Sequence, residues 1–131
     1  MAESSRVLVD SSLWIDFLAG DETALRALAS LRRDHAIVIC GQILQEVLQG
    51  SRDARAFAKQ EREFEIWDRE AEQPDDFLEA ARTYARLRWK GITVPPADCV
   101  IAAVAKRCDL ALCATDPHFD EIPGLRRYRL A

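Results

Sequence analysis

Four acidic side chains stand where the chain changes its hydrophobic pattern: Asp10, Glu46, Asp98 and Asp116. Asp10 closes Val7-Leu8-Val9. Asp98 opens Cys99-Val100-Ile101-Ala102-Ala103-Val104, and Asp116 follows Leu110-Ala111-Leu112-Cys113-Ala114-Thr115. A carboxylate beside a buried run is costly unless its charge is compensated. Carboxylates gathered at one place also repel each other, and a hard divalent cation bound through oxygen relieves both costs. The chemistry that such a centre offers is metal-assisted hydrolysis, in which the ion activates water and absorbs developing negative charge.

Each acid alone has an ordinary explanation. Asp10 suits an Asx turn or a helix cap after a strand. Glu46 flanks the apolar stripe of Ile43, Leu44, Val47 and Leu48, where a boundary glutamate is commonplace. Asp98 comes two residues after Pro96, in a first helical turn where the helix dipole favours an acid. Asp116 precedes Pro117, a routine turn start. Asp16 and Asp120 lie near the same segments and read as surface residues. The case for a site is the convergence of the acids, and that depends on the elements that carry them.

Residues 6–10, whose apolar residues Val7-Leu8-Val9 run continuously, and the β-branched-rich 36–40 read as strands buried on both faces. Ser11 and Ser12 suit a helix cap. Trp14, Phe17 and Leu18 recur at helical spacing, and Gly20 breaks that helix. A second helix over 22–33 sets Leu25, Leu28 and Leu31 on one side. Helices are predicted over 41–50 and 52–67, then over 75–90 with Phe77, Ala81, Tyr84 and Leu87 in register, and over 97–107. Residues 110–114 read as a third strand and 127–130 as a short fourth one at an edge. Alternation of this kind predicts an α/β protein, a three-layer α/β/α sandwich around a mostly parallel sheet, with residues 1–131 as a single domain. Asp10 and Asp116 then emerge at the carboxyl edge of that sheet. A right-handed crossover sets the start of the Asp98 helix at the same edge, so topology alone brings the three aspartates together.

Composition narrows the class. In 131 residues, 49% are hydrophobic, enough for one core and without any stretch long enough to span a bilayer. The N-terminus lacks the pattern of a secretory signal, so a cytoplasmic protein is expected. Cys40, Cys99, Cys108 and Cys113 form no CxxC pair, and His35 and His118 complete no zinc spacing, so reduced, buried thiols are expected. The formal net charge is −4, but residues 61–79 hold nine acids against two arginines, a net −7 that leaves +3 for the rest. A basic rim around an acidic centre suits a phosphate-bearing substrate. Arg52, Arg55, Arg86, Arg88 and Lys90 are the candidate phosphate contacts, each with a solvated helix face as the plainer reading.

Four blocks in order resemble the PIN-domain ribonucleases, and specifically the VapC-type toxins of bacterial toxin–antitoxin pairs. They are Val7-Leu8-Val9-Asp10-Ser11-Ser12-Leu13-Trp14-Ile15-Asp16-Phe17-Leu18, Gln45-Glu46-Val47-Leu48-Gln49-Gly50, Pro96-Ala97-Asp98-Cys99-Val100-Ile101-Ala102-Ala103 and Ala114-Thr115-Asp116-Pro117-His118-Phe119. The resemblance implies a PIN-like sandwich and an endoribonuclease site in which Asp10, Glu46, Asp98 and Asp116 bind Mg²⁺ or Mn²⁺. It matches Ser11 or Ser12 and Thr115 to the family's small hydroxyl residues and gives His118 no role. It further implies an RNA substrate, a cognate antitoxin and a homodimer. Two alternatives stay open on the residues alone: a metal-dependent nuclease or phosphoesterase with another substrate, and a non-catalytic α/β binding module whose acids are caps.

Overall fold

The computed structural model describes residues 6–130. Four strands form its centre: β1 (Arg6–Val9), β2 (Ala36–Cys40), β3 (Asp68–Glu70) and β4 (Ala111–Cys113), all parallel and in the order β3-β2-β1-β4. Helices α1 (Ser11–Leu18) and α2 (Glu22–Asp34) join β1 to β2. Helices α3 (Gly41–Leu48) and α4 (Ala54–Glu63) and a 3₁₀ turn at Phe64–Ile66 lead to β3. The hairpin of α5 (Pro74–Trp89) and α6 (Pro96–Arg107) returns the chain to β4, and a second 3₁₀ turn follows at Pro117–Glu121. This is the expected three-layer α/β/α sandwich. Val7, Leu8, Val9, Val38 and Ile39 are fully buried, as their unbroken apolar runs require.

The connections step outward from β1 to β2 to β3 and then return to the other side of β1. Strand order therefore reverses between β1 and β4. A crevice opens beyond the carboxyl ends of strands at such a reversal. Asp10 is the first residue after β1, and Asp116 lies three residues past β4.

Several expected elements are placed differently. The 52–67 segment is not one helix: α4 stops at Glu63, Phe64 buries against Trp14, and the chain enters β3. β3 is Asp-Arg-Glu at a sheet edge, where charge rather than apolar alternation is favoured because it discourages pairing with a further chain. Residues 127–130 form no strand; Arg127 makes one isolated parallel bridge to Leu112. β4 is shorter than 110–114, because the Leu110 amide donates to Ala105 O and closes α6.

The buried face of α5 is also turned by about one residue, or ~100°. Asp76, Ala80, Thr83 and Leu87 face inward, and Phe77 is exposed. The cause is an ion pair. Asp76 is 2% exposed, and Arg107 Nε on α6 donates to both of its oxygens at 2.9 and 3.1 Å. Arg107 Nη2 adds a bond at 3.0 Å and the Gln73 N–H a fourth at 2.8 Å. Burial alone would raise the Asp76 carboxyl, but the guanidinium and these bonds hold it below its ordinary value. On α2, Leu28 and Leu31 are buried, but Leu25 remains exposed beside an apolar furrow.

Arg107→Met leaves the Asp76 carboxylate buried without its partner. The expected cost is about 2 kcal/mol, discounted because Arg107 itself is partly exposed, and it lowers the melting temperature by roughly 6–10 °C. Asp76→Leu combined with Arg107→Met recovers most of that loss in thermal denaturation. A single variant that melts like the wild type refutes this account of the α5 register.

Candidate metal centre

Asp10 leaves β1 in extended conformation and caps α1. Its Oδ2 accepts the Ser12 amide at 3.4 Å and the Ser12 hydroxyl at 3.0 Å. Its Oδ1 is buried and has no hydrogen-bond partner. A buried acceptor without a donor is rare, and here it is a carboxylate oxygen at the point where strand order reverses. Burial raises the Asp10 carboxyl, the Ser12 bonds oppose the shift, and the charge of Glu46 adds to it.

Asp98 sits in the first turn of α6. Burial, then the charges of Asp10, Asp116 and Glu46, push its carboxyl up to about 6, with His118 acting in the opposite direction. Asp116 caps the second 3₁₀ turn, and its Oδ1 accepts the His118 amide at 2.9 Å. His118 Nδ1 lies 3.0 Å from the same oxygen. One donor atom from each of Asp98, Asp116 and His118 lies within 4.8 Å of the others, whereas Asp10 is outside this tightest group. The Ser12 hydroxyl, 3.4 Å from the Thr115 hydroxyl, ties the Asp10 side to the Asp116 side.

Glu46 faces the same region from α3. The Ser11 hydroxyl donates to its Oε1 at 2.7 Å and Gln42 Nε2 to its Oε2 at 3.0 Å. The start of α3 is itself held by Glu72, whose carboxylate accepts the Gly41 and Gln42 amides at 3.1 and 2.7 Å. A carboxylate suits a helix N-terminus. Glycine at 41 permits this close approach: an added Cβ would stand 2.7 Å from Glu72 Oε1 and push the carboxylate aside.

The structure thus brings the four sequence-chosen acids into one electrostatic neighbourhood. Asp16 and Asp120 lie outside it; both are exposed, and Asp120 pairs with Arg127 and Arg129. Two residues went unrecognised in the sequence. His118 carried a usable signal in its place two residues after Asp116, within reach of an Asx-type turn. Glu72 carried none, because it lies in a uniformly acidic stretch. The thiols nearest the centre are poor nucleophiles: burial pushes Cys113 up to about 11 and also raises Cys99.

The donor set suits a hard divalent cation. It offers an orphaned buried oxygen on Asp10, a crowded Asp98 whose ionisation is disfavoured, and an imidazole and a further carboxylate at chelating separation.

Comparison with known proteins bears on the fold. Among solved structures, VapBC2 from Rickettsia felis bound to a DNA fragment from its promoter superposes with a TM-score of 0.80 at 16% identity, covering 94% of this chain and 97% of that one. DNA-bound VapBC from Salmonella typhimurium gives a TM-score of 0.79 at 21% identity over 94% and 96%. VapC20 from Mycobacterium tuberculosis, a sarcin-ricin loop cleaving toxin, gives 0.70 at 21% identity over 87% and 92%. At these identities the likeness is one of fold. No curated protein sequence matches. The PIN domain family profile matches residues 7–125, and the chain belongs to the PIN domain family.

Proposed function

We propose that this chain is a divalent-metal-dependent endoribonuclease, a single nuclease domain that acts in the cytoplasm as the toxin of a toxin–antitoxin pair. The observation that carries the reading is the Asp10 oxygen, buried without a partner beside three further acids at the strand reversal of a PIN fold. In support, VapC20 is described as cleaving the sarcin-ricin loop, a structural neighbour from Klebsiella pneumoniae is a toxin–antitoxin complex, and VapBC-5 from Mycobacterium tuberculosis belongs to the VapBC family of toxin–antitoxin systems.

In this reading Asp10, Asp98 and Asp116 hold the ion, with His118 as a further donor. A bound Mg²⁺ or Mn²⁺ supplies an activated water and neutralises charge on the phosphate. Ser12 occupies one oxygen of Asp10 and leaves the other for an ion. Each oxygen of Glu46 accepts one side-chain bond and keeps a second lone pair, so this carboxylate can orient the attacking water or take a second ion. The antitoxin is assigned to the apolar furrow of about 580 Å³ between α1 and α2, lined by Trp14, Phe17, Leu25, Leu28 and Trp67. Among the described residues no helix is long and apolar enough to cross a membrane.

Cleavage of total RNA with Mg²⁺ or Mn²⁺, followed by sequencing of the new ends, tests the activity. Loss of an outer-sphere partner costs about 10–100-fold in metal affinity or activity, so Ser12→Ala should lose that much and Asp98→Asn more. Cleavage that survives chelation of metal, or that persists in Asp98→Asn, overturns the proposal.

The metal-free protein gives a second test. Asp98 has a folded-state value of about 6 against an ordinary 3.8. Between those values the folded state binds a proton that the unfolded chain has released. The resulting stability is therefore fully present below pH 3.8 and is lost as pH rises through about 6. The melting temperature of wild type relative to Asp98→Asn should fall across this window without metal. At pH 7, Asp98→Asn should melt at or above the wild type. Mn²⁺ should raise only the wild type, because it binds the folded site. A difference that is flat with pH, or a large loss of stability in Asp98→Asn, marks the acid as structural.

A further inference from the structure

We propose that Trp89 is a base-stacking platform for single-stranded RNA at the mouth of the acidic centre, with Arg86 and Lys90 holding the adjoining phosphates. This deepens the ribonuclease reading and rests on it.

Trp89 is 80% exposed, more than any other large apolar side chain described. Folding gives no reason for an indole in that position. Its location in the hairpin gives one. Asp76 near the start of α5 binds Arg107 at the end of α6, and Glu79 binds Lys106, so the two helices run antiparallel. The last turn of α5, which carries Trp89, therefore lies beside the first turn of α6, which carries Asp98.

The same stretch is cationic. From Arg82 to Lys90 there is no acid, and Arg86, Arg88 and Lys90 have no acidic partner among the described residues. Arg88 donates instead to the Thr93 hydroxyl at 3.2 Å. The helix end is firmly set. Gly91, at φ 83°, donates to Arg88 O at 2.9 Å, and Ile92 donates to Leu87 O at 2.9 Å, which closes the helix with a left-handed cap that favours glycine. The platform is thus held in place before any ligand arrives.

A protein partner would need more apolar surface around the indole. The other exposed large apolar residues of α5, Phe77 and Leu78, lie about 17 Å back along the helix. An aromatic face between unpaired cations is the combination that binds unpaired bases and their backbone. Duplex bases have no free face to offer.

The test uses the full chain carrying Asp98→Asn, so that RNA survives, and reads fluorescence anisotropy of a labelled single-stranded RNA oligonucleotide of mixed sequence. Adding Trp89→Ala should weaken binding about 5- to 150-fold, and Trp89→Phe should retain most of it. An abasic ribose-phosphate oligonucleotide should bind both proteins equally. Arg86→Gln and Lys90→Gln should each reduce the salt slope by about one. Equal RNA binding with and without Trp89→Ala overturns this inference alone. So does a shift from dimer to monomer in sedimentation with RNA affinity unchanged, which would make Trp89 a self-association contact. Failure of the Trp89-intact protein to bind RNA at all overturns the ribonuclease reading and this inference with it.

Discussion

Like-charge repulsion between carboxylates is the constraint that the rest of the molecule accommodates. Asp98 is pushed up by burial and then by three acidic neighbours, and Asp10 by burial and by Glu46. A flexible chain would separate these groups. They stay together because each is fixed by an element with its own reason to form: β1 by apolar burial, α6 by Pro96 and its apolar run, and the second 3₁₀ turn by Pro117. Stability generated in the core thus offsets an arrangement that is unfavourable locally, which is common at functional sites.

Positioning extends one layer beyond the acids. Ser11 and Ser12 are adjacent in sequence yet serve different carboxylates, Glu46 and Asp10. The first turn of α1 therefore couples the strand that delivers Asp10 to the helix that delivers Glu46. Glu72 holds the start of α3 in turn, through a close contact that the absence of a Cβ at Gly41 permits. In a metal site such supporting bonds set the orientation of each ligand.

The sequence carried the central part of this plan because central parallel strands are buried on both faces and leave an unmistakable apolar run. Residues 7–9 and 36–40 are examples, and the convergence of Asp10, Asp98 and Asp116 follows from the handedness of crossovers. β3 was illegible for the opposite reason: an edge strand of three charged residues has no apolar period. The register of α5 was misread because a hydrophobic count scores Phe77 above Asp76, whereas the distant Arg107 makes the acid the better buried residue. Glu72 acts on backbone amides about 30 residues away, which only the folded chain brings near it. Periodicity thus reported burial well and reported nothing about long-range charge pairing.

Net charge averages over a surface whose acids are unevenly compensated. The acidic stretch at 61–79 is partly neutralised by basic side chains. In the fold, Glu63 pairs with Lys59, Glu70 with Arg6, Asp76 with Arg107, and Glu79 with Lys106 and Arg82, while Glu72 binds backbone amides. Apart from Asp76–Arg107, whose acid is buried, exposed pairs of this kind add little stability. Their effect on the field is larger, because each pair leaves only a short-range dipole where a bare acid would project over a Debye length. The last turns of α5 have no such compensation. Cations without an acidic partner stand at this end of the hairpin, and at the centre one buried oxygen of Asp10 has no donor. A phosphate chain bridged by a divalent ion matches that sequence of charges, since its anions satisfy the flank and its cation satisfies the centre.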